Sequence, residues 1–219
     1  ISIMPSLAES RSALRFDMES KASSELHVPG LHLPTTGPLT IEGYVKIESS
    51  INSGPSPEFF GTHIQIGIGP NGLTWYPVGP VAEGQKFPKP QQIPLRGWRR
   101  DTWQHVAAVR DGQEHRLYVD GVLHGAAPAV EPLFDLEKHE VGKFFIGSLC
   151  KGVLIREVRV SSVARYSKAF TPAVRFEPDS ETMALYHFDE GSGDLVHDVS
   201  ANGHDARLSN VGEKWVQAD

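Results

Sequence analysis

The chain has 219 residues, 39% of them hydrophobic, with 21 glycines, 16 prolines and a formal net charge of −6. Length and apolar content suit one β-sandwich with a sizeable core, and the glycine and proline content implies many turns and few helices. The acidic balance, with no basic block to offset it, argues against nucleic acid and anionic membrane surfaces, and no apolar run approaches the roughly 20 residues that span a bilayer.

In chain order, residues 1–11 read as a polar lead-in, and 13–17 (Ala-Leu-Arg-Phe-Asp) and 25–28 as short strands. Residues 39–47 form the cleanest strand. Leu39, Ile41, Val45 and Ile47 share one face, and Thr40, Glu42, Tyr44 and Lys46 the other. Gly43, on the apolar face, leaves room for close packing. Residues 59–68 read as the next strand, with Ile64, Ile66 and Ile68 alternating against Gln65 and Gly67. Pro77, Pro80, Pro88, Pro90 and Pro94 then preclude a regular central strand through most of 77–98 and predict a long surface loop, with room for one edge strand.

Residues 101–126 read as three strands joined by two Asp-Gly turns, a dipeptide that tolerates the positive φ of tight hairpins. Residues 134–140 suit a loop or one turn of helix, and 143–148 and 153–161 are strands; in the latter Val158 and Val160 alternate with Glu157 and Arg159. A short helical turn is expected at 162–166, and strands at 183–188 and 205–208. About a dozen strands with frequent turns predict an all-β antiparallel sandwich. With no internal repeat, 1–219 reads as one domain.

Three blocks carry a family resemblance: 13–17 with Pro38-Leu-Thr-Ile-Glu-Gly-Tyr-Val-Lys46; the 103–126 meander; and Phe170–Asp179 leading into Leu185-Tyr-His-Phe-Asp-Glu-Gly-Ser-Gly193 and Asp198-Val-Ser-Ala-Asn-Gly203. Together they resemble bacterial laminin-G-like, concanavalin A-like jelly-roll domains of the lectin-glucanase type. In many relatives the last block precedes the first. The resemblance therefore implies that the final strands pair beside the first, and that a structural calcium sits near the 198–203 turn. The residues that match are Asp198 and Asn202, with Asp17 brought close if the ends meet. The alternative for Asp198 and Asn202 is a turn whose side chains satisfy local amides, and Ala201 departs from the glycine usual in that turn.

The other candidate sites are weaker or looser. Trp75, Tyr76, Trp98, Arg99 and Arg100 border the proline-rich loop and suit a glycan: aromatic faces pack on sugar C–H surfaces and guanidinium forks hold acidic groups. The competing reading is that Trp75 and Trp98 anchor the loop, with the arginines lying over them. Trp103 and Trp215 read as core. His105 reads as a hydrogen-bonded structural histidine, and the ten histidines show no zinc-ligand spacing. Glu177-Pro-Asp-Ser-Glu181 mimics the Glu-x-Asp-x-Glu strand of jelly-roll glucanases, but Pro178 interrupts it and a solvated acidic turn is expected. No Gly-x-Ser-x-Gly elbow is present, and Cys150, the only cysteine, reads as a small buried residue.

The expected function is a non-catalytic recognition module for carbohydrate or an extracellular protein surface. Two rivals are a glycoside hydrolase or lyase on the same fold, and a structural or adhesion spacer with no small ligand. The chain opens on Ile1 without methionine or signal sequence, so it reads as a piece of a larger protein. The resemblance implies an extracytoplasmic location, and the lack of an Asn-x-Ser/Thr acceptor favours a bacterial source.

Overall fold

The computed structural model describes residues 12–17, 25–49, 58–61, 64–69, 72–77, 98–129, 131–132, 144–209 and 213–218; within 64–77 side chains are described only at 66 and 67. Fifteen strands run in chain order: β1 Ser12–Asp17, β2 Leu26–His27, β3 Leu39–Ile47, β4 Glu58–Gly61, β5 Ile64–Gly69, β6 Gly72–Pro77, β7 Gln104–Arg110, β8 Glu114–Val119, β9 Val122–Pro128, β10 Phe145–Ser148, β11 Lys151–Ser161, β12 Thr182–Tyr186, β13 Leu195–Val196, β14 Ala206–Arg207 and β15 Glu213–Gln217. An eight-stranded sheet has the order β15-β1-β11-β3-β7-β8-β9, with β12 also on β11, and a five-stranded sheet has the order β2-β10-β4-β5-β6. The first and last described strands pair, Leu14 opposite Trp215, as the resemblance implied.

The two sheets enclose one core. Leu14, Phe16, Ile41, Val45, Val106, Leu117 and Ile155 from the larger sheet meet Leu26, Phe59, Phe60, Ile66 and Ile146 from the smaller. Each such side chain contributes about 1.5–3 kcal/mol by leaving water. Gly43 lies where a Cβ would come within 3.1 Å of both Phe60 and Val158. The 119–122 hairpin is a tight two-residue turn, with Asp120 at φ 49° and Gly121 at φ 75°, the conformation that Asp-Gly favours.

Two expectations are corrected. The strand expected over 59–68 is two strands, β4 and β5, paired as a hairpin with Gly61 opposite Gln65. The 162–166 segment is not helical: its backbone groups bond elsewhere, Ser162 N to Glu181 O, Thr40 Oγ1 to Val163 O, and Arg165 N to Thr40 Oγ1. On the polar face of β3, Thr40 and Glu42 are fully buried. Chain from 162 to 177 lies across this outer face of the eight-stranded sheet, where Ala164, Tyr166 and Phe170 pack on Ala107, Val109 and Tyr118. The stretches 1–11, 78–97 and 133–143 are outside the described residues.

Candidate functional site

The residues expected to hold calcium do not converge. Asp17 ends β1 opposite Lys151, whereas Asp198 accepts from Leu185 N, and Leu185 lies opposite Arg159. The two are therefore about eight residues apart along β11, roughly 26 Å at strand rise. Asp198 and Asn202 do share one turn, but as its scaffold. Asp198 Oδ1 accepts from Leu185 N (3.0 Å) and Ser200 N (2.9 Å), and Oδ2 from Ser200 Oγ (2.9 Å) and His204 N (3.0 Å). A carboxylate has about four lone-pair directions, and all four are used. Asn202 Nδ2 donates to Thr182 O and Met183 O, and Asp17 accepts from Gly152 N and Arg15. This donor set does not fit calcium, which takes six to eight free oxygens. Among the described residues, no group of three or more His, Cys, Asp or Glu is arranged to hold a metal.

Trp98, Arg99 and Arg100 each contact described parts of the chain. Trp98 packs on the core with its ring 5.8 Å from Phe59. Arg99 pairs with Asp120 at 2.7 Å, and Arg100 donates to Glu48 O. Asp120 also accepts from Gln104 Nε2 and His105 N, so the second Asp-Gly turn joins Arg99 to the start of β7. Trp75 and Tyr76 lie in β6 opposite Ile66 and Gln65; their side chains are outside the described residues. Trp215 packs on the core as expected.

Trp103 does not join the core. It lies half-buried on the outer face, with the Arg156 guanidinium 4.4 Å from its ring and Lys46 Nζ at 5.6 Å. The same guanidinium is 5.6 Å from Tyr44, which stacks on Phe176, and Arg159 lies 4.6 Å over Phe176. A run of alternating cations and rings thus crosses the sheet. A bulge in β11 makes it possible. Arg156 and Arg159 are three apart and would face opposite sides of a regular strand. Glu157 takes φ 50° between them, which brings Arg156 opposite Tyr44 and Arg159 opposite Glu42. Alternation alone could not reveal this; the glycine-free bulge leaves no sequence signal.

The 162–177 segment covers one end of this run and reaches Tyr44, whose Oη donates to Ala173 O; at the other end Trp103 and Lys46 are half-buried and Arg156 is buried between Trp103 and Tyr44. Beneath the covered end is a buried polar cluster. Glu42 Oε1 accepts from Arg159 Nε (2.9 Å) and Nη2 (2.7 Å), and Oε2 accepts from Tyr166 Oη (2.8 Å) and His105 Nε2 (3.0 Å). Burial alone pushes the Glu42 pKa up, but the His105 hydrogen bond and charge, with Arg159, hold it below the usual carboxylate value. Beside it, buried Glu157 accepts from His187 Nδ1 at 2.9 Å and Phe176 N at 3.1 Å. His105 is thus structural, as its sequence context suggests.

The acidic turn is solvent-facing. Glu177 and Glu181 are exposed, and Asp179 between them is held well below the usual carboxylate range, chiefly by its hydrogen bonds from Arg165. Glu58, in the other sheet, is shifted up by burial and, secondarily, by Glu25. Cys150 is fully buried and donates to Glu58 O, and burial pushes its thiol well up.

The sequence model of the concanavalin A-like lectin/glucanases superfamily matches residues 20–174. The chain belongs to that superfamily. The match holds β2 to β11 and most of the segment over the outer face, whereas β1 and β12 to β15 lie outside it; β1 and β12 share the edge of β11 that faces away from β3. A search of curated proteins returns no match. Among solved structures, a candidate carbohydrate binding protein from Bacteroides ovatus ATCC 8483 superposes with a TM-score of 0.67 at 19% identity, over 95% of this chain and 60% of that one. The chain therefore spans 60% of that protein's length. A heptameric SAP-like pentraxin from Limulus polyphemus superposes with a TM-score of 0.51 at 13% identity, over 95% of this chain and 99% of that one. These likenesses describe the superfamily sandwich.

Proposed function

We propose that the chain is a non-catalytic recognition module that binds carbohydrate through the Trp103 end of the outer face. The observation that carries this reading is the set Trp103, Tyr44, Lys46 and Arg156. Sugars are recognised by aromatic surfaces beside forked polar groups, and here the sheet supplies both on rigid neighbouring strands. Superfamily membership and the likeness to the Bacteroides protein support it as analogy. The module acts outside the cytoplasm as part of a larger protein, where several weak copies or neighbouring domains raise the avidity. Among the described residues no helix is long and apolar enough to cross a membrane.

The hydrolase reading needs two converging carboxylates, one with a raised pKa. The buried carboxylates on this face, Glu42 and Glu157, have their oxygens committed to protein donors, and the pKa of Glu42 is lowered. The test is a panel of soluble polysaccharides scored by affinity electrophoresis and by product release. The reading expects retardation by at least one glycan, loss of it in Trp103→Ala, and no hydrolysis. Hydrolysis would establish the enzyme; a panel with no binder would favour a protein surface or a spacer role.

A further inference from the structure

Three arginines are buried in the eight-stranded sheet: Arg110, Arg156 and Arg159. Arg110 donates to the carbonyls of Gly37 and Pro34, with its Nη1 left unpartnered, and Arg159 chelates Glu42 and reaches Glu177 O. Arg156 differs. It is only 9% exposed, yet it donates to no acceptor among the described residues, and its Nε is buried without a partner. The adjoining Trp103 Nε1–H is likewise buried without an acceptor. Native proteins rarely leave buried donors unmatched, and a charged one is the costliest to leave so.

The surroundings explain why no protein acceptor arrives. Trp103 and Tyr44 lie against the guanidinium, restricting its rotation. The neighbouring acid, Glu157, is engaged with His187 and Phe176 N. Lys46, on Trp103, adds a second positive charge. A guanidinium fixed in this way is organised for a planar anion that takes two parallel N–H···O bonds. In a chain of net charge −6, such a local cationic site is not a general surface property.

Building on the carbohydrate reading above, we infer that Arg156 receives the carboxylate of an acidic sugar, a uronic acid residue within a glycan. Its fork holds the carboxylate, Lys46 supplies a second charge, and the exposed part of the Trp103 ring meets sugar carbons. The site therefore selects charged over neutral glycans, with binding that weakens as salt rises.

The test is titration of the purified chain, by calorimetry and tryptophan fluorescence, with oligogalacturonate, oligoglucuronate and oligomannuronate. The controls are methyl-esterified oligogalacturonate, dextran sulfate and a neutral β-glucan. The expected result is binding of at least one uronide, at least tenfold weaker for the methyl ester where galacturonate is bound, and lost at least tenfold in Arg156→Gln. Arg156→Met reports on folding: removing a buried unpaired donor leaves the urea midpoint unchanged or raises it while binding is lost. Uronide binding unaltered in Arg156→Gln, equal binding of ester and acid, or stronger binding of dextran sulfate than of any uronide overturns the inference. Binding of the neutral glucan alone, lost in Trp103→Ala but not Arg156→Gln, overturns it and leaves the carbohydrate reading standing. No glycan binding at all overturns both.

Discussion

Glu42→Gln isolates the buried cluster that supports the outer face. Glu42 is fully buried and accepts four hydrogen bonds, two of them from Arg159. A glutamine oxygen can keep both Arg159 contacts, which turns its amide nitrogen toward Tyr166 and His105. The Tyr166 hydroxyl can rotate and the imidazole can move its proton to Nδ1, so those two contacts adapt. The loss that cannot be repaired is the counter-charge of Arg159, itself 8% exposed. Removing one partner of such a pair costs about 3–5 kcal/mol, and the retained contacts place Glu42→Gln at the low end, about 3 kcal/mol. For a chain of this size that lowers Tm by about 6–12 °C. The pH dependence follows from the depressed pKa of Glu42. Its contribution is fully present above the unfolded value of about 4.3 and is lost as pH falls through the lower folded value. Paired urea unfolding curves from pH 7 downward measure this. A loss under about 1 kcal/mol at pH 7, or a difference that persists undiminished to strongly acidic pH, refutes the reasoning. Glu42→Leu with Arg159→Leu should recover much of the loss.

Asp198→Ala frees four donors in its turn and should cost about 2–3 kcal/mol, by the same amount with added calcium or with chelator; a loss confined to the chelated protein would restore a metal at that turn. Glu58→Gln should stabilise at pH 7, because burial and Glu25 raise its pKa and so penalise the charged form. With the folded value raised, the gain shrinks as pH falls through it and vanishes below the unfolded value; urea midpoints against pH check the sign. Gly121→Ala places a Cβ 1.9 Å from Phe170 O at a residue with φ 75°. It should shift the 166–172 segment away from the turn, costing more than about 2 kcal/mol and accelerating amide exchange at Phe170, whose N–H donates to Gly121 O.

Local patterns carried much of the fold into the sequence. Strict alternation fixed β3 to the residue, and the two Asp-Gly dipeptides marked the β7–β8–β9 meander. The paired ends followed from the family resemblance, because no local pattern joins residues 12–17 to 213–217. What escaped was long-range. The burial of Glu42 and Thr40 has no local signal, because nothing near them in sequence shows that 162–177 folds over them. Trp103 read as core because a tryptophan before an apolar strand usually is, and the β11 bulge that sets Arg156 over it has no residue signature. The 198–203 turn was legible as a turn, but the saturation of Asp198 depends on donors contributed by Leu185 and His204.

Recognition is placed at the outer face rather than at the tryptophan-arginine loop. Amide and indole chemical-shift mapping of isotope-labelled protein with a bound glycan tests that directly. The account predicts that shifts concentrate at Tyr44, Lys46, Trp103 and Arg156. Shifts confined to residues 72–77 and 98–100, with those four unmoved, would contradict it.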